Sequence, residues 1–479
     1  MGNWDDLGPA RTYHERTKHS LASVRGGGRR LDWHNRPRPF KEYVGLEPEP
    51  PPDDLEPLLR LGAGVVRTRE LPGGERYHFR TYASAGALYP VEAYVVDAGG
   101  VFHLHPGELA LRRLREGDWR ASLGEPDARA VLVLTGILWR TAWKYGARGY
   151  RHLFWDAGTM LANLLALAEE PRLHTGFVDA RVNRLVGVDG RREAALALLA
   201  VGRAPRGGAP QDEPPPLALA TEPLSRREEE FLLADALHAA STLASDEEGA
   251  RYRDRVPEQA PAGELAPEPP PADDLFAGRP LAKVIRRRGS ARHFTSDSLP
   301  EDELAAILAA ADAPINADTQ AVTETYVFAN AVAGLAPGLY RYRAAEGWDC
   351  VRTGSFRARA GYLALEQEHA ARAAATQCLL ADLDAVLEAR GNRGYRWANL
   401  EAGIRAGRMY LGATARDLGA TGLTFYDDET AAFLAGGTRQ QPLLCLALGP
   451  DARTRARARA REKGEAGRAP REGGARRAP

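Results

Sequence analysis

The chain has 479 residues, of which 44% are hydrophobic and 27% charged, a composition that is ordinary for a globular protein of two or three domains. Its 64 basic and 64 acidic residues balance, which gives no reason to expect nucleic acid or an anionic membrane surface as a partner. Three widely separated cysteines argue against a zinc site and a disulfide framework, and the lack of a signal segment or long apolar run favours a cytoplasmic location.

Proline-rich stretches at 48–52, 214–216 and 269–271 predict linkers, because proline cannot continue a helix or an inner strand. They divide the chain into five segments. These are an N-terminal arm (1–52), a first domain (53–204), a connector with one helix near 225–244 (205–274), a second domain (275–450) and a solvated, disordered Arg/Ala-rich tail (451–479).

The two domains show the same coarse pattern of elements along the chain. In the first, β-rich apolar runs predict strands at 91–96 and 131–134, and apolar residues at three- and four-residue spacing predict a helix at 154–169. In the second, the same signals predict a helix at 397–418 and a strand at 443–448. Helices packed on a mixed or antiparallel sheet give an α+β fold class.

A sequence repeat relates the two domains. The segment RGYRHLFWDAG at 148–158 recurs as RGYRWANLEAG at 393–403, an offset of 245 residues. The copies also differ, since Lys144-Tyr145 of the first copy corresponds to Ala389-Arg390 of the second. The first copy alone carries an SAGALYP loop, and the second alone carries an RGSAR loop. These complementary losses predict one shared site.

The RGSAR loop at 288–292 is a candidate anion clamp. Alternate residues of an extended loop point to one side, so Arg288, Ser290 and Arg292 could converge on a single oxyanion. The alternative is a solvated basic loop, because Arg286 and Arg287 extend the charged run.

The SAGALYP loop runs directly into the strand at 91–96. Small residues let a flat ligand approach the backbone closely, and a glycine supplies unusual backbone dihedrals. The alternative is an ordinary tight loop at the start of a strand. The candidate residues are Ser84, Ala85, Gly86, Ala87, Leu88 and Tyr89.

These motifs carry a family resemblance. RGSARHF resembles the RxSxR loop of nitroreductase-fold flavoproteins, and SAGALYPVEAYVV with KYGARGYR is similar to the SagB-type dehydrogenases of that superfamily. The arm segments YHERTKHS and LDWHNRPRPFKEY resemble the leader of longer SagB-type chains. The resemblance implies FMN at the interface of two such domains, with the RxSxR loop of one at the phosphate and the Ser-rich loop of the other at the isoalloxazine ring.

In this chain the resemblance implies an intrachain pseudo-dimer with one composite FMN pocket. The second domain would supply the RxSxR residues, and the first domain would supply residues 84–89. Arg453 is expected to reach the phosphate as well. The mirror pocket is expected to be degenerate, because it has RPRPF at 36–40 and NADTQ at 316–320 in place of the two loops.

Lys144 and Tyr145 form the candidate catalytic pair. In SagB-type azoline oxidases a Lys-Tyr at this position is implicated in removing a proton from the heterocycle, which implies the same role here. A desolvated lysine has a lowered pKa and can act as a base. The structural alternative is a snorkelling lysine and a packed tyrosine at a helix start. His103 and His105 could chelate a metal, but without a third ligand they predict a solvated strand face and no metal site.

The resemblance implies an enzyme that dehydrogenates thiazoline or oxazoline rings of a ribosomally made peptide. A separate cyclodehydratase or leader-binding protein would deliver that peptide, and the chain would be a monomeric pseudo-dimer or a homodimer. Two alternatives stay open. One is an NAD(P)H-dependent nitroreductase-like reductase of small molecules, and the other is a flavin-free scaffold in a peptide-modifying complex.

Overall fold

The N-terminal arm is a helical segment that packs on both domains. The structure, a computed structural model, describes residues 8–26, 29–70, 74, 76–207, 213–255, 276–436 and 438–452. The arm contains helices α1 (Gly8–Arg16) and α2 (Leu21–Arg25) and a 3₁₀ turn, Trp33–Asn35. The Tyr13 hydroxyl donates to the Ala147 carbonyl of the first domain, and His14 Nδ1 lies 3.2 Å from the Tyr395 hydroxyl of the second.

The first domain is built on a seven-stranded antiparallel sheet in the order β1-β6-β5-β4-β7-β9-β8, with a separate hairpin, β2–β3. Its strands are β1 Pro48–Glu49, β2 Val65–Glu70, β3 Arg76–Arg80, β4 Val91–Asp97, β5 Gly100–His105, β6 Ala110–Glu116, β7 Ala130–Ile137, β8 Arg172–His174 and β9 Glu193–Val201. Its helices are α3 Glu56–Gly62, α4 Leu138–Tyr145, α5 Gly149–Leu167 and α6 Asp179–Val186.

The connector contains two helices within its described part, α7 (Leu232–Ala240) and α8 (Asp246–Asp254), where the sequence indicated one. Ser245 separates them and caps α8, because its hydroxyl accepts from the Glu248 N–H.

The second domain repeats the design with a six-stranded antiparallel sheet in the order β14-β13-β11-β15-β17-β16. Its strands are β10 Leu299–Pro300, β11 Glu324–Ala329, β12 Val332–Ala333, β13 Gly338–Arg343, β14 Gly347–Thr353, β15 Ala375–Asp382, β16 Gly419–Leu423 and β17 Gln440–Gly449. Its helices are α9 Leu281–Arg287, α10 Glu301–Asp312, α11 Arg357–Leu363, α12 Glu368–Arg372, α13 Leu383–Ala415 and α14 Asp427–Ala435. The predicted α+β class with two tandem domains is confirmed.

The two domains meet at the longest helices, α5 and α13, where two glycines of the repeat lie against each other. A Cβ atom added to Gly158 would lie only 2.6 Å from the Cα of Gly403. Side chains do not tolerate such an approach, so the close contact requires glycine on both helices. Next to it, the Trp155 indole N–H donates to Asn399 Oδ1 at 3.0 Å. The repeat therefore forms the centre of an intrachain pseudo-dimer.

Reciprocal buried ion pairs lock the domains together. Arg148 and Arg151 of the first repeat bind Asp427 of the second domain, with their Nη1 atoms 2.9 Å and 2.8 Å from its carboxylate oxygens. The corresponding arginines of the second repeat bind Asp179 of the first domain. Those contacts are Arg393 Nη1–Asp179 Oδ1 at 2.8 Å and Arg396 Nη1–Asp179 Oδ1 at 3.0 Å.

Several local expectations need correction. The proline-rich stretch at 48–52 begins with an edge strand, β1, which pairs with β6. The helix expected at 397–418 begins earlier, because α13 continues through a kink at Gly391 (φ 60°), which corresponds to the end of α4 at Gly146 (φ 57°). The argument against a disulfide is also wrong. Cys378 and Cys445 are directly opposed on β15 and β17, with Cα atoms 4.1 Å apart, and form one.

The face of the first sheet that carries His103 and His105 is buried, so the expectation of a solvated strand face is wrong. His103 Nε2 lies 2.8 Å from Glu92 Oε2, and His105 Nε2 lies 3.1 Å from Glu42 Oε1. The arm supplies Glu42 and covers this face. Among the described residues, no three His, Cys, Asp or Glu side chains are grouped to hold a metal, and no helix is long and apolar enough to cross a membrane.

Candidate active site

The loop at residues 84–89 joins β3 to β4 and is held by a carboxylate of α5. Ser84 Oγ donates to Asp156 Oδ2 at 2.5 Å, and the Ala85 N–H donates to Asp156 Oδ1 at 3.0 Å. The Tyr89 N–H in turn donates to Ser84 Oγ at 2.9 Å. Asp156 therefore anchors the loop to the helix that carries the sequence repeat.

This loop has an unusual backbone and packs directly against the candidate catalytic pair. Gly86, Ala87 and Tyr89 have φ values of 63°, 53° and 49°, in the left-handed region that side chains disfavour. A Cβ atom on Gly86 would lie 2.8 Å from the Tyr145 hydroxyl and 3.2 Å from Lys144 Nζ. A side chain at this position would therefore displace the pair.

Lys144 and Tyr145 end helix α4 rather than beginning a helix, because Gly146 terminates it with a positive φ. Partial desolvation lowers the pKa of Lys144, and the nearby charge of Arg292 lowers it further. Burial raises the pKa of Tyr145, and the charge of Asp156 adds to this. At neutral pH the tyrosine therefore keeps its proton, whereas the lowered pKa of the lysine increases the fraction of its amine that is neutral and able to accept a proton.

The RGSAR loop of the second domain reaches the first domain through Arg288. Its Nε donates to the Thr81 carbonyl at 3.0 Å, and its Nη2 donates to the Tyr82 carbonyl at 3.0 Å. These two residues immediately precede the loop at 84–89. Arg288 therefore ties the second domain to the base of that loop, a contact that the sequence did not reveal, and its predicted phosphate contact stays a prediction.

The middle of the RGSAR loop lies along the edge strand β16. The Ala291 N–H donates to the Ala420 carbonyl at 2.8 Å, and Ser290 forms an isolated bridge with the same residue. Ser290 Oγ lies 3.4 Å from the Tyr410 hydroxyl of α13. Ser290 is half-buried, and its predicted contact with a phosphate stays a prediction.

Arg292 brings the candidate residues of the two domains together. Its side chain is exposed, yet it lies close enough to Lys144 for its charge to lower the pKa of that amine. The charge of a cation of one domain thus acts on the amine of the other, and that amine lies against the small-residue loop. This arrangement fits a ligand with an anionic end and a flat ring. The predicted residue Arg453 lies outside the described residues.

The second domain carries a counterpart of the loop anchor. Glu401 corresponds to Asp156 in the repeat, and it accepts from the Val322 N–H at 2.7 Å and from Thr323 Oγ1 at 2.6 Å. Burial raises the pKa of both carboxyls to about 7. The anchoring carboxyl is therefore kept in both halves, whereas the Lys-Tyr pair is present in one.

The segments expected to form the mirror pocket, and Arg405 near one of them, contact other parts of the chain. Asp318 of the NADTQ segment accepts from the Thr175 N–H at 2.9 Å and from the Gly176 N–H at 2.8 Å. Arg405 of α13 donates to Thr323 Oγ1 at 2.6 Å. The RPRPF segment at 36–40 lies on the first domain, where the Arg36 guanidinium stacks 4.2 Å above the Tyr77 ring. Tyr77 lies near enough to Tyr145 to raise its pKa, so the RPRPF segment is on the side of the Lys-Tyr pair, and a single working pocket stays a prediction.

The raised pKa of Asp156 predicts a pH-dependent stability. The folded chain binds this proton with a pKa of about 7, against an ordinary value of 3.8, so the carboxyl's contribution to the free energy of unfolding falls as pH rises from about 4 to about 7. We expect Asp156→Asn to reduce the decline of the unfolding free energy with pH by about 1 kcal/mol per pH unit near pH 5–6.5. Urea denaturation at several pH values in this range measures the slope. Glu401→Gln is expected to have the same effect, because the pKa of its carboxyl is raised to the same value. An unaltered slope in Asp156→Asn would contradict the assignment.

Two α+β domains with complementary loops at one interface define a tandem form of the nitroreductase fold. The model of the nitroreductase family matches residues 45–203 and 285–450, together more than half of the chain. The chain belongs to the nitroreductase family.

Three relatives make the relationship more specific. The chain is 31% identical over 151 residues to the microcin B17-processing protein McbC of Escherichia coli, a match that covers 26% of this chain and about half (53%) of McbC. It is 30% identical over 184 residues to the nitroreductase-family protein MJ1384 of Methanocaldococcus jannaschii, covering 35% of this chain and 90% of that protein. The crystal structure of a nitroreductase from Anabaena variabilis has a TM-score of 0.75 and 26% identity, covering 93% of this chain and 99% of that one. The match to McbC agrees with the predicted relationship to SagB-type dehydrogenases.

Proposed function

We propose that the chain is an FMN-dependent dehydrogenase that oxidises thiazoline or oxazoline rings of a ribosomally made peptide to azoles. One observation carries the proposal: Lys144 and Tyr145 lie directly on the small-residue loop of their own domain, within reach of the charge of Arg292 of the other domain. A base, a flat binding surface and a cation are the groups that such a reaction requires in one place. The match to a microcin B17-processing protein supports a peptide substrate.

The oxidation removes a proton from Cα and a hydride from Cβ of the ring, which leaves a C=C double bond. FMN, when bound, supplies a ring nitrogen, N5, that accepts the hydride. The Lys144 amine takes the Cα proton, and its lowered pKa increases the neutral fraction that can do so. Tyr145 keeps its hydroxyl proton and orients the ring or the lysine by hydrogen bonding.

In this proposal each domain binds a different part of FMN. Arg292 and Ser290 of the second domain bind the phosphate, with Arg288 and Arg453 contributing, and residues 84–89 of the first domain line the flavin ring. In this proposal the peptide is delivered by a separate cyclodehydratase or leader-binding protein, and the match to a microcin B17-processing protein supports a place in a peptide-modifying system. A pull-down with the peptide alone and with such a partner tests this delivery.

The flavin-to-chain ratio tests the composite pocket. We expect about one FMN per chain, read from flavin absorbance after denaturation, and loss of that FMN in Arg292→Ala of domain two and in Ala85→Trp of domain one. Arg286→Ala is the matched control, because Arg286 lies in the same basic run, is exposed and belongs to helix α9 rather than to the extended loop. Two FMN per chain would contradict a single pocket, and no FMN after reconstitution would favour the flavin-free scaffold.

The nitroreductase-family relatives support a second candidate function, reduction of small molecules by NAD(P)H. Anaerobic mixing separates the two functions. An azoline oxidase draws electrons from its peptide, so the bound flavin should bleach with an azoline peptide and stay oxidised with NADPH. Rapid bleaching by NADPH alone, with none by the azoline, would favour the reductase.

A further inference from the structure

The arm presents an exposed indole beside the candidate catalytic pair. The Trp33 side chain is 62% exposed, and it is the most exposed aromatic side chain among the described residues. Its ring packs edge-on against the Trp143 ring, with centroids 5.2 Å apart. Trp143 is buried in the last turn of α4 and immediately precedes Lys144. Trp33 therefore presents an apolar ring to solvent beside the end of the helix that carries Lys144, where a flat ring of a ligand could pack on it.

The turn that carries Trp33 is held firmly on both sides. The Trp143 indole N–H donates to the Asp32 carbonyl at 3.1 Å, and Arg29 Nε donates to the Trp143 carbonyl at 2.9 Å. The buried Asn35 side chain donates to the Arg227 carbonyl at 2.9 Å and accepts from the Arg227 N–H at 3.1 Å. The ring is therefore exposed on an ordered turn and not on a loose loop end. A pre-organised aromatic surface loses little entropy on binding.

An apolar cluster continues from this turn into the site. Trp143 packs with Leu88 of the small-residue loop, and Leu31 of the arm and Tyr145 pack against the same cluster. On the other side of Trp33, Arg36 covers the Tyr77 ring, which lies near enough to Tyr145 to raise its pKa. The arm segment 31–36 thus borders the catalytic pair at both of its ends. Trp33 therefore packs against the residue that immediately precedes Lys144 in the chain.

We propose that Trp33 binds the peptide substrate by stacking on a flat ring, an azole or aromatic side chain, that flanks the azoline being oxidised. The inference rests on the proposed function. A peptide that already contains one azole would then bind better for oxidation of its neighbour, because aromatic rings pack favourably on an indole face or edge. The arm would select substrates with adjacent rings, while Lys144 and Tyr145 perform the reaction.

Steady-state kinetics of the native chain and its Trp33 variants with two substrates test the inference. The probes are two synthetic peptides, one with an azoline alone and one with an azole two residues from the azoline. In the native chain we expect the two-ring peptide to have a KM lower by about three- to tenfold. Trp33→Ala should abolish this advantage with little change in kcat, and Trp33→Phe should retain part of it. Flavin content and melting temperature show that each variant is folded.

Val44→Ala is the matched control, because Val44 lies in the same arm, is 54% exposed and donates its N–H to the Ala220 carbonyl of the connector. It should keep the full advantage of the two-ring peptide. An equal KM for both peptides in the native chain, or an advantage that survives in Trp33→Ala, overturns the role of Trp33. The failure of the native chain to oxidise either peptide would instead overturn the proposed function.

Discussion

Lys144→Ala is expected to slow azoline oxidation by about 10²–10⁴-fold, the usual contribution of a positioned general base. The flavin content should stay near that of the native chain, because the loop at 84–89 is anchored by Asp156 and not by the lysine. Single-turnover bleaching of the flavin by an azoline peptide measures the step directly. Undiminished bleaching would remove Lys144 from the proposed mechanism.

Lys144→Arg separates a base from a mere positive charge. A guanidinium stays protonated throughout the accessible pH range, so a base role predicts that arginine does not rescue activity. A purely electrostatic role predicts that it does. In the native chain the rate should rise with pH and level off above the pKa of Lys144. Arg292→Ala removes a charge that lowers that pKa, so reconstituted with excess FMN it should move the rise to higher pH.

Asp427→Ala should destabilise the chain by about 3–5 kcal/mol, since it leaves two buried arginines without their carboxylate. Burial alone would raise the pKa of Asp427, but the charges of Arg148 and Arg151 outweigh it and lower the pKa to about 2. The ion pairs also join the two domains. The free energy of unfolding in urea measures the effect, and separate transitions for the two domains are expected in the variant.

The adjacent residue supplies the control. Asp428 is mostly exposed and pairs with Lys18 at 2.7 Å, so Asp428→Ala should cost less than about 1 kcal/mol. Equal losses in the two variants would mean that the buried ion pair does not hold the domains together. Asp179→Ala should behave like Asp427→Ala, because Asp179 binds Arg393 and Arg396 in the reciprocal contact.

Periodicity and the repeat were sufficient to predict the architecture. The strands expected at 91–96 and 443–448 are present as β4 and β17, because uninterrupted apolar runs have few other buried conformations. The long-range pairings could not be predicted. Cys378 and Cys445 are 67 residues apart, and only the antiparallel register of β15 and β17 makes them neighbours.

The sequence predicted the loops of the site but not what holds them. Asp156 stands where WDAG and LEAG carry an acid in both copies, and this shared position was the available signal. Its bonds to Ser84 and Ala85 depend on how α5 crosses beneath the loop, which sequence spacing does not reveal. The same holds for Arg288, whose contact with the carbonyls at 81 and 82 requires the docked domains.

The contact between Gly158 and Gly403 also has an evolutionary consequence. In a homodimer every substitution appears twice, so a residue useful in one pocket is imposed on the other. Covalent fusion around this glycine pair lets the halves diverge, as Tyr145 and its counterpart Arg390 have done. One half can then lose catalytic residues and keep a structural role, while selection on catalysis acts on the other half. The number of active centres per polypeptide becomes a trait that mutation can change.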